Sequence, residues 1–498
     1  MHNLSINDTY SNFGTAFYGE ENLVFSSTKG RGMTAWVNPD NQNVFYHLYI
    51  GTIKEESAVE DIKRFKPSFL SNFHESNLVF SQDLNEVYIT QSNQKEGVYV
   101  EGSQGAVSLK VYKSTKDASG KWGPMVDLPF NNDHYSVAHP TLSADGKTLY
   151  VASDKPGAYG ETDLYRVAIH EDGSYGPMVN LGPLVNTKFK ESFPFIGSNE
   201  VLYFSSDRPG GMGGLDIYAS KLIQNYYSEP VSLEFPINSN EDDFSFIFKP
   251  EENTGYFSSN RSGGKGGDDI YSFKQTSALD FKCQQLVEGQ ITELDVVGGL
   301  ADISVVLLDG FGNALQSTVT DADGNYAFVV DCSSWYTVMV NAYQFYKNET
   351  VVETSEDMTD AYVYNLELER EVVVVNEKEQ LNLNTIFFEV NSSYLTEQAM
   401  TELEKVYEVM LKYPEMKIEI GSHTDSTADD AYNLWLSDRR AKRTRDYIID
   451  KGIEASRISA KGYGEEAVLN KCINDVPCLE EEHAENRRSE FVIINQED

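Results

Sequence analysis

The feature that most constrains this chain is an internal repeat, because self-similarity at a fixed spacing decides an architecture before any local pattern does. Five segments share a short apolar strand, a turn and a strand ending in two small polar residues. They read ENLVFSST from Glu21, NEVYITQS from Asn85, KTLYVASD from Lys147, EVLYFSSD from Glu200 and TGYFSSN from Thr254. Aligned on Phe25, Ile89, Val151, Phe204 and Phe257, they recur at steps of 64, 62, 53 and 53 residues. The later copies are followed by DRPGGMGGLDIY from Asp207 and NRSGGKGGDDIY from Asn260, and the third by a weaker DKPGAYGETDLY from Asp154. WGPMVDL from Trp122 and YGPMVNL from Tyr175 have the look of outer strands. Each unit thus holds about four short strands with glycine-rich turns, the content of one propeller blade.

On these strings the units resemble the PD40 (WD40-like, TolB-type) propeller repeats, over about Phe13 to Lys274. The likeness implies an all-β propeller over residues 1–278, with five blades, or six if the longer early spacings hold a degenerate copy. GGMGG invites a phosphate-loop reading, but such a loop leads from a strand into a helix. Here it leads into the strand LDIY, so its glycines are read as turn residues at positive φ. Asp207, Asp216, Asp268 and Asp269 could face a cation, but hydrogen bonding to turn backbone is the preferred reading.

A chain of 498 residues calls for about three domains, and 40% hydrophobic with 12% aromatic residues argues against disorder. Thirty Tyr and 26 Phe suit strands. A formal charge of −38 repels nucleic acid and anionic lipid, and is read as a solvated acidic surface. The sequence has no apolar run of the ~18 residues a membrane-spanning helix needs. MHNLSINDTY lacks the basic and apolar regions of a signal peptide, so the chain is expected to be either cytosolic or a processed or trimmed piece. The cysteines favour the piece. Cys283 and Cys332 bracket one predicted domain, and Cys472 and Cys478 bracket a short loop. Each pair can close locally, and disulfides Cys283–Cys332 and Cys472–Cys478 imply an oxidising compartment. No zinc set or redox CxxC accompanies them, so neither metal nor cofactor is expected.

Over residues 279–368 the runs VEGQIT, ISVVLLD, LQSTVTD, NYAFVVD, YTVMVNA and AYVYNLEL, broken by glycine turns, predict a small β-sandwich. TDADGNYAF from Thr320 is similar to the carboxypeptidase-regulatory-like domain, which is non-catalytic despite its name and implies a spacer. Residues 369–382 read as a linker.

From Leu383 the pattern becomes α/β. TIFFEV is a strand, and the next segment carries Leu395, Ala399, Leu403, Val406, Met410 and Leu411 at helical spacing. Thr396 is its N-cap, Leu395 and Met400 can form a hydrophobic staple, and Pro414 ends it. MKIEIGSHTD is a strand, a second helix runs from about Asp430 to Lys451 and stops at Gly452, and RISAKGYG and SEFVIIN add strands. The order is βαβαββ with a right-handed crossover.

FFEVNSSYLT, IEIGSHTDS, YNLWLSDRRA, RISAKGYGE and ENRRSEF, in that order and spacing, closely resemble the OmpA C-terminal (OmpA/MotB-like) domain, placed at residues 383–498. The insert CINDVPCLEEEHAENRR is similar to the disulfide-bearing form of Bacteroidetes members. The resemblance implies peptidoglycan binding. Stems of Gram-negative type carry diaminopimelate, whose side chain ends in an amine and a carboxylate on one carbon. A fixed anion and a fixed cation would grip that zwitterion, with Asp425 taking the ammonium and Arg440 forking onto the carboxylate. Thr427, Asn433 and one of Arg487 or Arg488 match further binding positions. Glu389 stands where the family often has Asp, which puts its part in question, and Trp435 is a bulky residue beside the site. Taken alone, Asp425 could cap a helix and Arg440 could be one more cation beside Arg439, Lys442, Arg443 and Arg445. His423 invites a general-base reading, but no nucleophile motif accompanies it. His483 is not in an HExxH pattern.

The expected function is therefore a non-catalytic anchor of the periplasm, associated with the outer membrane and holding the cell wall while its propeller meets another protein. The domain order is similar to PorE-like components of the type IX secretion and gliding apparatus of Bacteroidetes. The alternatives are a wall-tethered propeller hydrolase or glycosidase, or a glycan or metal receptor.

Overall fold

The computed structural model describes the chain except residues 30–45, 56–57, 68–74, 96–97, 101–106, 358–359, 387, 389–391 and 495–498. It divides into two compact units, Met1–Leu286 and Val287–Asp498.

Among its described residues the first unit holds five antiparallel sheets of four or five strands, each opened by one strand: Asn12–Tyr18 (β1), Glu75–Phe80 (β2), Val137–Leu142 (β3), Glu191–Ile196 (β4) and Asp243–Lys249 (β5). Each repeat copy supplies the second strand of one sheet: Asn22–Ser27, Glu86–Ser92, Thr148–Ser153, Val201–Ser206 and Thr254–Ser259. These strands are buried nearly throughout because alternate side chains enter two different cores. Tyr88 joins Val111, Val137 and Leu149, while Val87 and Ile89 join Val24 and Leu78 on the other side. Successive sheets share a core in this way, and the fifth returns to the first through Ile247, Tyr256 and Ile270 against Leu23 and Phe25. The outer place of the fifth sheet is taken by His2–Asn3, paired with Asp269–Lys274. Tyr175–Asn180 and Val126–Asp127 are outer strands, as the sequence suggested. Among the described residues no sixth sheet occupies the longer early spacings, which hold the two-stranded ribbon Gln94–Lys95 and Val98–Tyr99.

The glycine strings are turns held by aspartate. Asp216 Oδ2 accepts the backbone N–H of Met212 (2.8 Å) and Gly213 (3.0 Å), and Asp163 and Asp269 do the same in their own sheets. A Cβ on Gly213 would lie 2.4 Å from the Glu241 carbonyl oxygen, so close backbone approach, with positive φ at Gly210, explains the doubled glycines. Arg208 lies over the Phe204 and Tyr218 rings and pairs with buried Glu191, and Arg261 repeats this with Phe257, Tyr271 and Asp243.

In the second unit, two four-stranded sheets enclose a core that includes Val287, Ile291, Val305, Leu307, Tyr326, Phe328 and Val338. The chain then enters a five-stranded sheet. Its strands are Val372–Val375 (β6), Lys378–Leu381 (β7), Ile418–His423 (β8), Ile458–Gly464 (β9) and Ser489–Ile493 (β10), in the order β6-β7-β10-β8-β9. The residues expected to form a linker are thus the β6–β7 hairpin, and β7 pairs with β10 through Gln380 and Val492. The segment is no tether: Glu371 is buried and takes bonds from Lys412 Nζ and Tyr413 Oη, both 2.7 Å. Lys412 also donates to the carbonyls of Ala342 and Phe345, joining the two-sheet part to this one. The strand expected at TIFFEV falls largely outside the described residues, with a single bridge from Phe388 to Leu395.

Helices Glu397–Lys412 (α1) and Asp430–Asp450 (α2) pack on the sheet, and a short helix, Glu480–Asn486 (α3), precedes β10. Thr396 Oγ1 caps α1 by accepting from Ala399 N (3.1 Å). Ala399, Leu403, Val406, Val409 and Met410 face the core with Ile418, Ile420, Ala441 and Phe491. Leu411, expected inside, faces solvent, and Val409 takes the inner place. β8 and β9 are parallel neighbours joined across α2.

Candidate functional site

The site is built where β8 ends. Asp425 follows the strand and is 6% exposed. Its Oδ1 accepts Thr427 N (3.0 Å) and Thr427 Oγ1 (2.5 Å), and its Oδ2 accepts Arg487 Nη1 (2.7 Å). Burial alone would raise this carboxyl, but the bonds from Thr427 and Arg487 outweigh it and hold Asp425 below the ordinary aspartate range. Helix capping here belongs to Asp429, whose side chain accepts Ala431 N (3.0 Å) and Tyr432 N (3.4 Å), so Asp425 is not spent on it.

α2 carries Asn433 and Arg440 on the face turned to this loop, seven residues or about two turns apart. Asn433 Nδ2 donates to the Asp425 carbonyl (3.0 Å), the Ala428 carbonyl (3.1 Å) and Glu465 Oε2 (2.5 Å), so it shapes the loop. Arg440 is 5% exposed; its Nε donates to the Ser392 carbonyl (2.9 Å) and its guanidinium lies 4.9 Å over the Phe388 ring. Burial and the nearby Arg487 charge push its pKa down, and Asp425 opposes them. Arg487 follows α3 and spans Asp425 and Glu480, with Nη2 to Glu480 Oε1 at 2.5 Å. Arg440, Asp425 and Arg487 thus lie within electrostatic reach of one another.

Arg488 turns the other way, donating from Nε to Glu490 Oε1 (2.8 Å) and from Nη2 to the Ala467 carbonyl (3.2 Å). Of the two candidate arginines only Arg487 meets Asp425. Glu389 lies outside the described residues. His423 is a buried strand-end side chain, stacked on Tyr463 at 5.0 Å with Nε2 3.6 Å from Glu490 Oε2. That contact holds the Glu490 carboxyl well below the usual range, at about 2.

Sequence reasoning did not single out Glu480, which sits in the run LEEEH that reads as solvated charge, or Glu465. Cys472 and Cys478 form a disulfide, so their approach to Glu482 offers no thiolate. Ser426 Oγ donates to the Cys472 carbonyl (2.8 Å), tying the disulfide loop to the residue after Asp425. Cys283 and Cys332 are also disulfide-bonded, leaving no free thiol.

In the first unit, β1 to β5 line a cavity of about 170 Å³. Each strand has one left-handed residue at its bulge: Gly14, Asn77, His139, Phe193 and Ser245. Burial pushes His139 down to about 3, so it is neutral, and no carboxylate is among the described lining residues.

The C-terminal module is therefore an α/β domain in which a loop after one strand and the face of the next helix bring together a buried anion and a buried cation, with a second cation, Arg487, reaching in from the end of α3. Residues 387–476 match the model of the OmpA family. The peptidoglycan-associated lipoprotein of Rhizobium meliloti (strain 1021) is 33% identical over 108 residues, 22% of this chain and 58% of that protein. Outer membrane porin F of Pseudomonas fluorescens is 37% identical over 78 residues, 16% of this chain and 24% of that protein. The chain spans less than two thirds of the length of these relatives. Among solved structures, the peptidoglycan-associated lipoprotein from Burkholderia pseudomallei is 24% identical, with a TM-score of 0.20 over 22% of this chain and 89% of that one. The structure of a putative MotB like protein from Desulfovibrio vulgaris is 25% identical, with a TM-score of 0.21 over 26% and 81%. Among the described residues no helix is long and apolar enough to cross a membrane.

Proposed function

We propose that the C-terminal module grips the diaminopimelate side chain of peptidoglycan stems and catalyses nothing. The observation that carries this reading is the gathering of buried Asp425 and Arg440 with Arg487 at one strand end. A ligand bearing an ammonium and a carboxylate on one carbon can replace the internal Asp425–Arg487 pair with two pairs of its own. Its ammonium goes to Asp425, and its carboxylate to Arg440 and the released Arg487. Thr427 and Asn433 hold the loop in shape. The names of the lipoprotein relatives support the choice of ligand.

The rest of the chain serves this grip as a scaffold. The five sheets, each sharing cores with its neighbours, are the blades of a PD40-type propeller that presents a surface to another protein. The two-sheet part is a carboxypeptidase-regulatory-like sandwich acting as spacer. The protein works in the periplasm beside the outer membrane, and its domain order supports a place in a PorE-like, type IX secretion or gliding assembly of Bacteroidetes.

The test is sedimentation with purified diaminopimelate-type sacculi, comparing wild type, Asp425→Ala and Arg440→Ala. Asp425→Ala leaves the ligand ammonium unpaired and Arg440→Ala takes one of two cations from its carboxylate, each at a cost of roughly 2–5 kcal/mol. Wild type should sediment and both variants stay in the supernatant. Equal sedimentation of all three would sink the site.

A further inference from the structure

Asp425 and Arg487 lie 62 residues apart in the chain, just past the last rungs of the β8–β10 ladder. There Ser422 pairs with Ser489, and His423 N donates to the Arg488 carbonyl (2.9 Å). The ladder brings the two segments alongside but stops short of both side chains, and beyond it a ring of hydrogen bonds takes over. Ser426 Oγ, next to Asp425, donates to the Cys472 carbonyl (2.8 Å). Asn486, next to Arg487, is fully buried, and its Nδ2 donates to Asn470 Oδ1 (2.9 Å). That same oxygen accepts the backbone N–H of Cys472 (3.1 Å). The circuit Asp425–Ser426–Cys472–Asn470–Asn486–Arg487 is closed by the Arg487–Asp425 pair itself.

Asn470 is the joint of this ring. Its Nδ2 donates to the Glu482 carbonyl (2.7 Å) and to Glu485 Oε2 (2.9 Å), both on α3. An asparagine amide has two N–H groups and two lone pairs on its oxygen, and here all four are engaged, which leaves the side chain one pose. Asn486 Oδ1 in turn accepts Leu469 N (2.7 Å), so the two amides brace each other, and the disulfide to Cys478 anchors the Cys472 corner. We propose that Asn470 is a positioning residue of the grip: by closing this ring it seats Arg487 against Asp425 and sets where a ligand carboxylate finds its second cation. The inference rests on the zwitterion reading above and adds to it the part that fixes the spacing. A loosely held arginine would lose rotamer freedom on taking the carboxylate, whereas one already seated does not. Such preorganisation raises affinity without adding any contact to the ligand.

The experiment uses the full chain and two readouts. The first needs no ligand: the Asp425 carboxyl is followed by NMR against pH in wild type and in Asn470→Ala. Burial raises that carboxyl, and the bonds from Thr427 and Arg487 hold it below the ordinary aspartate range, so loosening Arg487 should lift its titration in the variant. The second is calorimetric titration with the tripeptide L-Ala–γ-D-Glu–diaminopimelate. Asn470→Ala should weaken binding roughly 3–10-fold, the scale of one misplaced hydrogen bond. In an Arg487→Gln background the same substitution should change affinity by less than about twofold, because the side chain it seats is gone. An unmoved Asp425 titration, an unchanged tripeptide affinity, or a loss repeated in full in the Arg487→Gln background would each overturn the positioning role. Failure of wild type to bind the tripeptide, with the Asp425 titration still shifted by Asn470→Ala, would instead bring down the zwitterion reading and leave the seating of Arg487 standing.

Discussion

Replacing Arg440 by Lys separates charge from geometry. Arg440 is buried, spends its Nε on the Ser392 carbonyl and packs its plane over Phe388. On the diaminopimelate reading its planar guanidinium meets the ligand carboxylate with two parallel bonds. A lysine retains the charge but presents a single ammonium, without the fork or the flat surface. One charge-assisted hydrogen bond contributes ~1.5–3 kcal/mol, so the tripeptide affinity should fall roughly 10- to 150-fold. The same substitution removes the bond to Ser392 and the contact with Phe388, which together stabilise the domain by about 1–2 kcal/mol. Titration calorimetry reads the first effect, and urea unfolding of the same preparation reads the second. A variant that loses stability but binds as wild type would refute the fork, because charge alone would then suffice.

Three further outcomes follow from other parts of the structure. Glu490, held at about 2 by His423 and Arg488, has a folded pKa below its unfolded one, so its stabilisation is present above about pH 4.5 and lost as the pH falls toward 2. Glu490→Gln should cost up to about 3 kcal/mol at pH 7 and flatten that acid limb of the unfolding profile; an unchanged limb would contradict the pairing. Joint replacement of Cys472 and Cys478 by Ser opens a short loop and should cost the C-terminal module about 2 kcal/mol on the chain-entropy account, read as a lower urea midpoint. Gly213→Ala places a Cβ 2.4 Å from a backbone oxygen and should destabilise the five-sheet unit by about 2–3 kcal/mol or more; thermal unfolding matching wild type would show that the backbone yields.

The closeness of Asp425 and Arg440 was legible from local patterns, while the roles proposed for them came from the family resemblance alone. Asp425 ends a strand and Arg440 follows on the next helix, so a strand–loop–helix reading brings them together. The choice between Arg487 and Arg488 was not legible. Adjacent residues at the start of a strand point to opposite sides, and only the pairing of β10 with β8 decides which one meets Asp425. Glu480 was hidden for a similar reason. Nothing within its acidic run marks the residue that reaches Arg487, a contact made along the length of α3.

What the sequence determined by itself is what neighbouring residues settle. The repeat spacing, the doubly apolar strands, the glycine turns, the Thr396 cap and the 3.6-residue stripe of α1 all depend on interactions a few residues long. What only the tertiary structure decided are the partnerships between distant segments. His2–Asn3 completes a sheet begun near residue 243, and the segment read as a linker becomes a sheet edge anchored by Glu371. A strand's edge offers unpaired N–H and C=O groups to any extended segment that reaches it. Which segment arrives is a matter of the whole fold, and short, charged stretches such as NEKEQL carry no local mark of it.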